Sequence, residues 1–571
     1  MPFADPITES LMAPGAPFEV VSQGSVRVFR HAPENMSVVF DRARQFGKTE
    51  FIISGERRLS FDDVFGAADG LSAWLISEYG LKRGQSIAIC MQNCPEWMVA
   101  FIAIINAGGV AVLVNSRGTG EAMARAIIDA DCVLVVGDEK RLGRLAVASY
   151  DGTTLASKDF PEPITDFKPV YAKHDELVAM FFTSGTTGAA KAAAIQHRAL
   201  ITGMMNTQMA MAAVFQKMAA AYNIDIETLR SQMPQSCSLL IFPLFHTSGC
   251  SAVFMTALVT GDKLVLMDRW NANEALALIE REKITTFGGV PTMHWDLLRA
   301  PNFKRHDLSS LMSISCGGQA LPLNLLDEIH AAFPRAFIGA GYGMTETCGA
   351  ISQANGEAFL ANSSASGQIL PMVDVQITGE DGKALPVGET GEIFAKGATL
   401  MQGYYGRPDD TAASMSGEWF KTGDIGKLDE NGYIYIVDRK TDMIISGGEN
   451  IYCAEVEQVL GRHPGILAVG TFGVSDDRLG ERLIASARVK DGVGAADILA
   501  FAKDNLADYQ IPSDITVQTK PFELNAMGKI VKQKIRTAYL NSLETVSYTH
   551  LRAHETDSYL VCRLLLEKKK K

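Results

Sequence analysis

The apolar run Leu177-Val178-Ala179-Met180-Phe181-Phe182 passes directly into Thr183-Ser184-Gly185-Thr186-Thr187-Gly188-Ala189-Ala190-Lys191. A run of this kind ending in small and hydroxyl residues reads as a buried strand that empties into a loop. Backbone N–H groups and Ser/Thr hydroxyls of such a loop close around phosphate oxygens, and Lys191 adds a point charge. The pattern is not the common nucleoside-triphosphatase loop, which sets lysine directly after its last glycine and then Ser or Thr. Here Lys191 stands three places after Gly188 and precedes Ala192. By itself the segment reads either as a polyphosphate cradle or as a plain strand-to-helix connection.

Up to about residue 370, apolar runs at 86–90, 110–114, 132–136, 239–242, 263–267, 285–290 and 312–316 alternate with helical patterns. Alternation of this kind predicts an α/β chain of mainly parallel sheets wrapped by helices, with ligands at the C-terminal ends of the strands. From 373 to 435 the texture changes to short strands separated by turns such as Glu380-Asp381-Gly382 and Glu430-Asn431-Gly432, a small antiparallel unit. Beyond Asp438 a self-contained α+β pattern follows, with helices at 454–460 and 495–505 and strands at 466–474 and 483–489. We therefore expect a large N-terminal domain over 1–437 and a small mobile C-terminal domain over 438–545. Residues 546–571 look foreign to both and resemble translated read-through of sequencing-adapter DNA; His550 and His554 in that tail have helical metal-ligand spacing but are read as incidental. The Met- and Ala-rich stretch 207–235 is read as a surface-packed helix pair, with a substrate lid as the second reading.

A net charge of −12 argues against a nucleic-acid partner, which clustered Lys and Arg would bind. Nine cysteines without a C-x-x-C pair fit a reducing cytoplasm better than disulfides or a zinc site. Residues 1–20 lack the features of a secretory signal. The most membrane-like run, 98–114, is broken by Asn106 and Gly108-Gly109 and reads as a buried helix followed by a buried strand, so no transmembrane segment is expected.

Further segments follow the first loop in order: Tyr342-Gly343-Met344-Thr345-Glu346-Thr347, Trp419-Phe420-Lys421-Thr422-Gly423-Asp424, and Gly528-Lys529. Together the four resemble the motifs of the adenylate-forming superfamily of acyl-CoA synthetases, peptide-synthetase adenylation domains and luciferases, over roughly residues 40 to 540. The resemblance implies ATP, Mg2+ and CoA as cofactors. It places Thr183, Ser184, Gly185, Thr186, Thr187, Gly188 and Lys191 on the β- and γ-phosphates, Thr345 on the α-phosphate, and Glu346 on magnesium. Tyr342 would stack on adenine, with Gly317, Gly318 and Gln319 along its edge, while Asp424 and Arg439 would hold the ribose. Lys529 would be the catalytic lysine that bridges the carboxylate and the α-phosphate. Thr441 stands at the hinge position, where Asp or Lys is usual, and Gly447 and Gly448 would leave room for the pantetheine arm. Ala190 and Ala192 replace the usual Pro and Gly beside Lys191, and Asp438 replaces the glycine usual before the arginine.

His246, after Phe245, resembles the gating residue of fatty and aryl acid ligases, and neither it nor Thr247 is the aspartate that pairs with an α-amino group. The small residues Gly317-Gly318 and Gly339-Ala340-Gly341 are read as space for a medium to large apolar acid. With no carrier domain in sight, free CoA is the expected acceptor. The leading expectation is a fatty-acid-type acyl-CoA ligase. Its alternatives are an acyl-AMP ligase that loads a separate carrier protein and an inactive acyl- or nucleotide-binding relative. Fatty, aryl and steroid-side-chain acids stay open, as does the oligomeric state, a homodimer included.

Overall fold

A buried sheet needs strands that are apolar on both faces, and Ser86–Cys90 and Val110–Leu113 are buried throughout. They lie inside a seven-stranded sheet ordered Gly403–Tyr404, Lys191–Gln196, Leu177–Thr183, Val110–Leu113, Ser86–Cys90, Cys132–Gly137, Thr154–Ala156. The last five are mutually parallel, and the first two close one edge in antiparallel fashion. The computed structural model describes residues 5–183, 190–317, 321–447, 449–525 and 529–543.

The run at 98–114 resolves as expected: the helix Pro95–Asn106, buried along nearly its whole length, ends before Gly108 at φ +80°, and the strand Val110–Leu113 follows. A side chain at Gly108 would be strained by that φ and would strike Val170 at 2.9 Å. Among the described residues, no helix is long and apolar enough to cross a membrane.

A nine-stranded sheet runs Gln368–Ile369, Gly349–Asn355, Phe337–Met344, Ser313–Cys316, Thr286–Gly289, Cys237–Leu240, Lys263–Leu266, Glu50–Ser54, Arg57–Ser60. It is parallel in its middle and antiparallel at both ends. The antiparallel unit built on Val373–Thr378, Gly391–Gly397, Trp419–Leu428 and Ile434–Arg439 follows.

Two expectations are adjusted. The helix pair read at 207–235 is present but begins earlier: its first helix starts at His197 and runs to Tyr222, and Ile226–Gln232 follows. Thr202, Met205, Asn206 and Met209 form a buried ridge along the first helix, and within 207–235 itself Met209, Ala212, Ala213 and Ala219 are buried. The chain divides into compact units at 1–441 and 442–571, four residues later than 437/438, because Asp438 and Arg439 extend a strand paired to Trp419–Leu428.

The second unit pairs Gly480–Val489 with Ile466–Asp476 antiparallel and with Asp514–Gln518 parallel. The helices Cys453–Leu460 and Ala495–Asn505 contribute Val456, Leu460 and Ile498 to its own core.

Candidate active site

At the edge of the seven-stranded sheet, Thr183 ends its strand opposite Lys191, which begins the next. The Thr183 hydroxyl donates to the Lys191 carbonyl at 3.4 Å. Ser184, Gly185, Thr186, Thr187 and Gly188 lie outside the described residues. Lys191 Nζ is ion-paired with Asp410 at 2.6 Å and stands 5.1 Å above the Tyr404 ring. The hydrogen bond from Lys191 holds the Asp410 carboxyl below the usual range. The neighbouring strand, Gly403–Tyr404, turns the Tyr404 hydroxyl to Glu346, donating to Oε1 at 2.9 Å. One tyrosine thus touches both Lys191 and Glu346.

Glu346 sits in the single turn Thr345–Thr347 between the strands Phe337–Met344 and Gly349–Asn355. Thr347, fully buried, locks this turn: its oxygen accepts from Met344 N–H at 3.2 Å and lies 2.8 Å from the Gly349 carbonyl. Cys348 then reverses the chain at φ +54°, a left-handed conformation uncommon for a residue with a β-carbon. Burial pushes its thiol up to about 12, so it is no nucleophile. Burial also raises the Glu346 carboxyl above its ordinary value, against the pull of the Tyr404 hydrogen bond. Among the described residues Glu346 makes no ion pair within 4.0 Å. A buried carboxylate with only a neutral donor is under-compensated, which suits it to a hard divalent cation.

Asp424 and Arg439 face each other across the strands Trp419–Leu428 and Ile434–Arg439. Arg439 Nε lies 2.8 Å from Asp424 Oδ1, and the Tyr342 hydroxyl donates to Oδ2 at 2.7 Å. Thr422 accepts the Asp424 N–H at 3.1 Å while donating to the Ile393 carbonyl at 2.8 Å. Burial, then the Asp424 charge, keep the Tyr342 phenol far above its ordinary value, so it remains a donor. The sequence reading gave Tyr342 to adenine and Asp424 to ribose separately; the structure joins them.

The reading of the glycines as substrate space divides. A β-carbon at Gly317 would meet nothing within 4 Å, whereas at Gly339 it would meet Asn355 Oδ1 at 2.0 Å. A side chain at Gly339 would therefore have to displace the Asn355 amide and press within 3.0 Å of the Ala354 carbonyl. Gly318 and Gln319 lie outside the described residues. His246 caps the start of a helical stretch, its Nδ1 2.8 Å from Ser248 Oγ and accepting from Ser248 N–H at 3.2 Å. The loop before it is clamped by buried Asn93, which donates to the Phe242 carbonyl and accepts from Leu244 N–H, both at 2.9 Å.

In the second unit, Lys529 donates its N–H to Asn525 Oδ1 at 3.0 Å, and Asn525 N–H donates to the Lys529 carbonyl at 2.8 Å. Gly447 turns the hairpin of Ile444–Ser446 and Glu449–Ile451 at φ +61°, with its N–H on the Leu479 carbonyl at 2.8 Å. Gly448 lies outside the described residues.

Sequence reasoning missed Tyr404, Thr347, Asn93 and Asn525 as positioning residues. Asn93 and Asn525 carry the signature of any turn asparagine, and Tyr404 meets Glu346 from 58 positions away, a pairing no local pattern encodes.

The AMP-binding enzyme family matches residues 39–405, and the AMP-binding enzyme C-terminal domain matches 455–529. A long-chain-fatty-acid–CoA ligase of Bacillus subtilis (strain 168) is 29% identical over 87% of this chain and 93% of its own length. A feruloyl-CoA synthase of an Amycolatopsis species is 30% identical over 81% of this chain and 90% of its own. Among solved structures, O-succinylbenzoate coenzyme A synthetase of Bacillus subtilis, in complex with ATP and magnesium ion, superposes with a TM-score of 0.73 at 28% identity, covering 87% of this chain and 98% of that one.

Proposed function

The chain belongs to the family of AMP-binding enzymes and is an ATP-dependent acyl-CoA synthetase, and we propose that the acid it activates is uncharged and largely apolar, handed to free CoA in the cytoplasm. In the first step a carboxylate oxygen attacks the α-phosphorus of ATP, the bond to pyrophosphate breaks, and the acyl-adenylate remains. In the second the CoA sulfur attacks the acyl carbonyl, AMP leaves with the bonding pair, and the thiol proton passes to solvent. Positioning and fixed charge supply the rate of such phosphoryl chemistry.

In this reading Asp424, oriented by Tyr342 and Arg439, takes the ribose, and Thr345 takes the α-phosphate. Glu346 would hold Mg2+, which neutralises polyphosphate charge when bound. Thr183, Ser184, Gly185, Thr186, Thr187, Gly188 and Lys191 serve the outer phosphates. Lys529, pinned by Asn525, serves adenylation, and the turn at Gly447 and Gly448 serves the thioester step.

The observation that carries the acid class is the His246 loop. Phe242, Leu244, Phe245 and Thr247 are buried around it, and none of them offers a carboxylate to an α-amino group. Pyrophosphate release across a panel of acids, with and without CoA, tests this reading. Apolar acids should support pyrophosphate and AMP formation and consume CoA. An α-amino acid as best substrate, or turnover that leaves CoA untouched, contradicts it.

A further inference from the structure

The second unit holds a charged cluster that the chemistry above does not use. Lys532 Nζ lies 2.9 Å from Glu457 Oε1 and 3.7 Å from Asp442 Oδ2. The same Glu457 oxygen accepts the N–H of Thr471 at 2.7 Å, and Thr471, on the strand Ile466–Asp476, is fully buried. Asp442 is the first residue of the unit, and its carbonyl accepts from the Cys453 thiol at 3.1 Å. One ammonium thus joins the start of the unit to the helix Cys453–Leu460, which packs on that strand. Lys534, two residues on, makes only a surface pair with Glu523, a kind of contact that contributes little. The Lys532 side chain is 27% exposed against 58% for Lys534, and Glu457 ties it to the interior.

The place of Lys532 in the chain says what the cluster does. The two arms of the Lys529 loop close on each other: the Glu523 carbonyl accepts from Val531 N–H at 3.1 Å, and Leu524 bridges Ile530, around the Asn525–Lys529 pair already described. Such closure shapes the loop without fixing where it stands on the unit. Lys532 follows at the base of the loop and opens the helix at 532–543. That helix is docked on the strand Ile466–Asp476: Ile535 Cδ1 would lie 2.7 Å from a β-carbon at Gly470, and Arg536 Nε donates to the Gly473 carbonyl at 3.0 Å. Lys532 adds an ionic contact at the base of the loop and extends it to Asp442. Asp442 follows Thr441, which stands at the hinge position of the sequence reading. A short path from that position to Lys529 therefore runs through one side chain.

We propose that Lys532 is a positioning residue for adenylation: by gripping Asp442 and Glu457 together it sets where the Lys529 loop stands relative to the hinge position. The inference rests on the reading of Lys529 as the adenylation lysine and deepens it. Placement matters there because a displacement of about 1 Å at a reacting group can slow a reaction by about a hundredfold. Removing Lys532 takes away the tether and leaves two carboxylates to repel each other. The thioester step is spared, because the Gly447 turn is held by its own hairpin and by Leu479, and the Asp442 backbone keeps its bond from Cys453.

The test assays full-length Lys532→Met, Lys532→Arg and the double variant Lys529→Ala/Lys532→Met on the two half-reactions, with the acid of the panel above that gives most AMP and its synthetic adenylate. In Lys532→Met the kcat of pyrophosphate formation should fall by roughly tenfold or more, while the KM for ATP and acyl-CoA formation from supplied adenylate stay within about twofold of the wild type. Lys532→Arg, which keeps the charge, should recover most of the loss. The double variant should be no more than about twofold slower than Lys529→Ala alone, since residues that act through one another are not additive. Equal loss of both half-reactions, no loss, or a double variant whose losses multiply overturns the proposal. If Lys532→Met does not fold, Asp442→Asn decides by the same comparison: loss confined to pyrophosphate formation supports it, and equal loss or none overturns it. A Lys529→Ala enzyme with intact adenylation would instead overturn the reading of Lys529, and the proposal with it.

Discussion

Arg439 lies directly across an antiparallel strand pair from Asp424, with Nε 2.8 Å from Oδ1, and Tyr342 holds the other carboxylate oxygen at 2.7 Å. A carboxylate held on both sides is oriented before a nucleotide arrives, and each oxygen keeps acceptor capacity for a ribose hydroxyl. Tyr342→Phe removes one of the two restraints. The KM for ATP should rise by about twofold to tenfold, with kcat less affected, in steady-state assays at saturating acid. An unchanged KM would show that the phenol does not orient Asp424.

The Tyr404 hydroxyl favours the ionised form of Glu346, whose carboxyl burial has already raised. A raised carboxyl stays protonated to a higher pH, so metal affinity should weaken as pH falls sooner than for an ordinary glutamate. Tyr404→Phe removes the stabilising donor and should move this acid limb to still higher pH. Mg2+ titrations of adenylation rate across pH measure it; a limb that stays in place would separate Glu346 from the metal.

Buried His197 and His294 are each pushed down to about 4 by desolvation, from 6.5. Both are neutral in the fold: His197 Nδ1 accepts from Met36 N–H at 3.0 Å, and His294 Nε2 donates to the Ser315 carbonyl at 3.0 Å. Between pH 6.5 and 4 the unfolded chain binds the extra protons, so their stabilisation is complete above pH 6.5 and is lost as pH falls toward 4. The loss is at most about 3 kcal/mol for each. His294→Gln should flatten the fall in melting temperature over that window, as followed by thermal denaturation; an equal fall in the variant would show that this histidine is not responsible.

Asn93→Ala would leave the Phe242 carbonyl and the Leu244 N–H unmatched in a buried loop, at a cost of about 1–3 kcal/mol. Because that loop leads to His246, the KM for the acid should rise severalfold while the KM for ATP holds. A parallel rise in both would make Asn93 a purely structural residue.

The parallel strands were legible because each is a short apolar run bounded by turns, and Val110–Leu113 and Ser313–Cys316 fall within their predicted runs. The unit boundary was less so, because Asp438 reads as a polar break while its backbone continues a ladder. Gly339 illustrates a different limit: a glycine that makes room for a ligand and one that makes room for Asn355 look the same in sequence. The site residues that motifs name, such as Glu346 and Asp424, were readable one by one. Arg439 was named with them, whereas Tyr404, the partner of Glu346, depends on strand register, which a one-dimensional pattern encodes only in part.

The central claim is that activation of the acid and its transfer to CoA are separate steps, and that Lys529 serves the first alone. The decisive measurement is Lys529→Ala assayed on the two half-reactions: pyrophosphate formation from ATP and acid, and acyl-CoA formation from supplied acyl-adenylate. The account predicts a loss of roughly a hundredfold or more in the first, the order expected for removing a preorganised charge, with the second retained. Equal loss of both would contradict it.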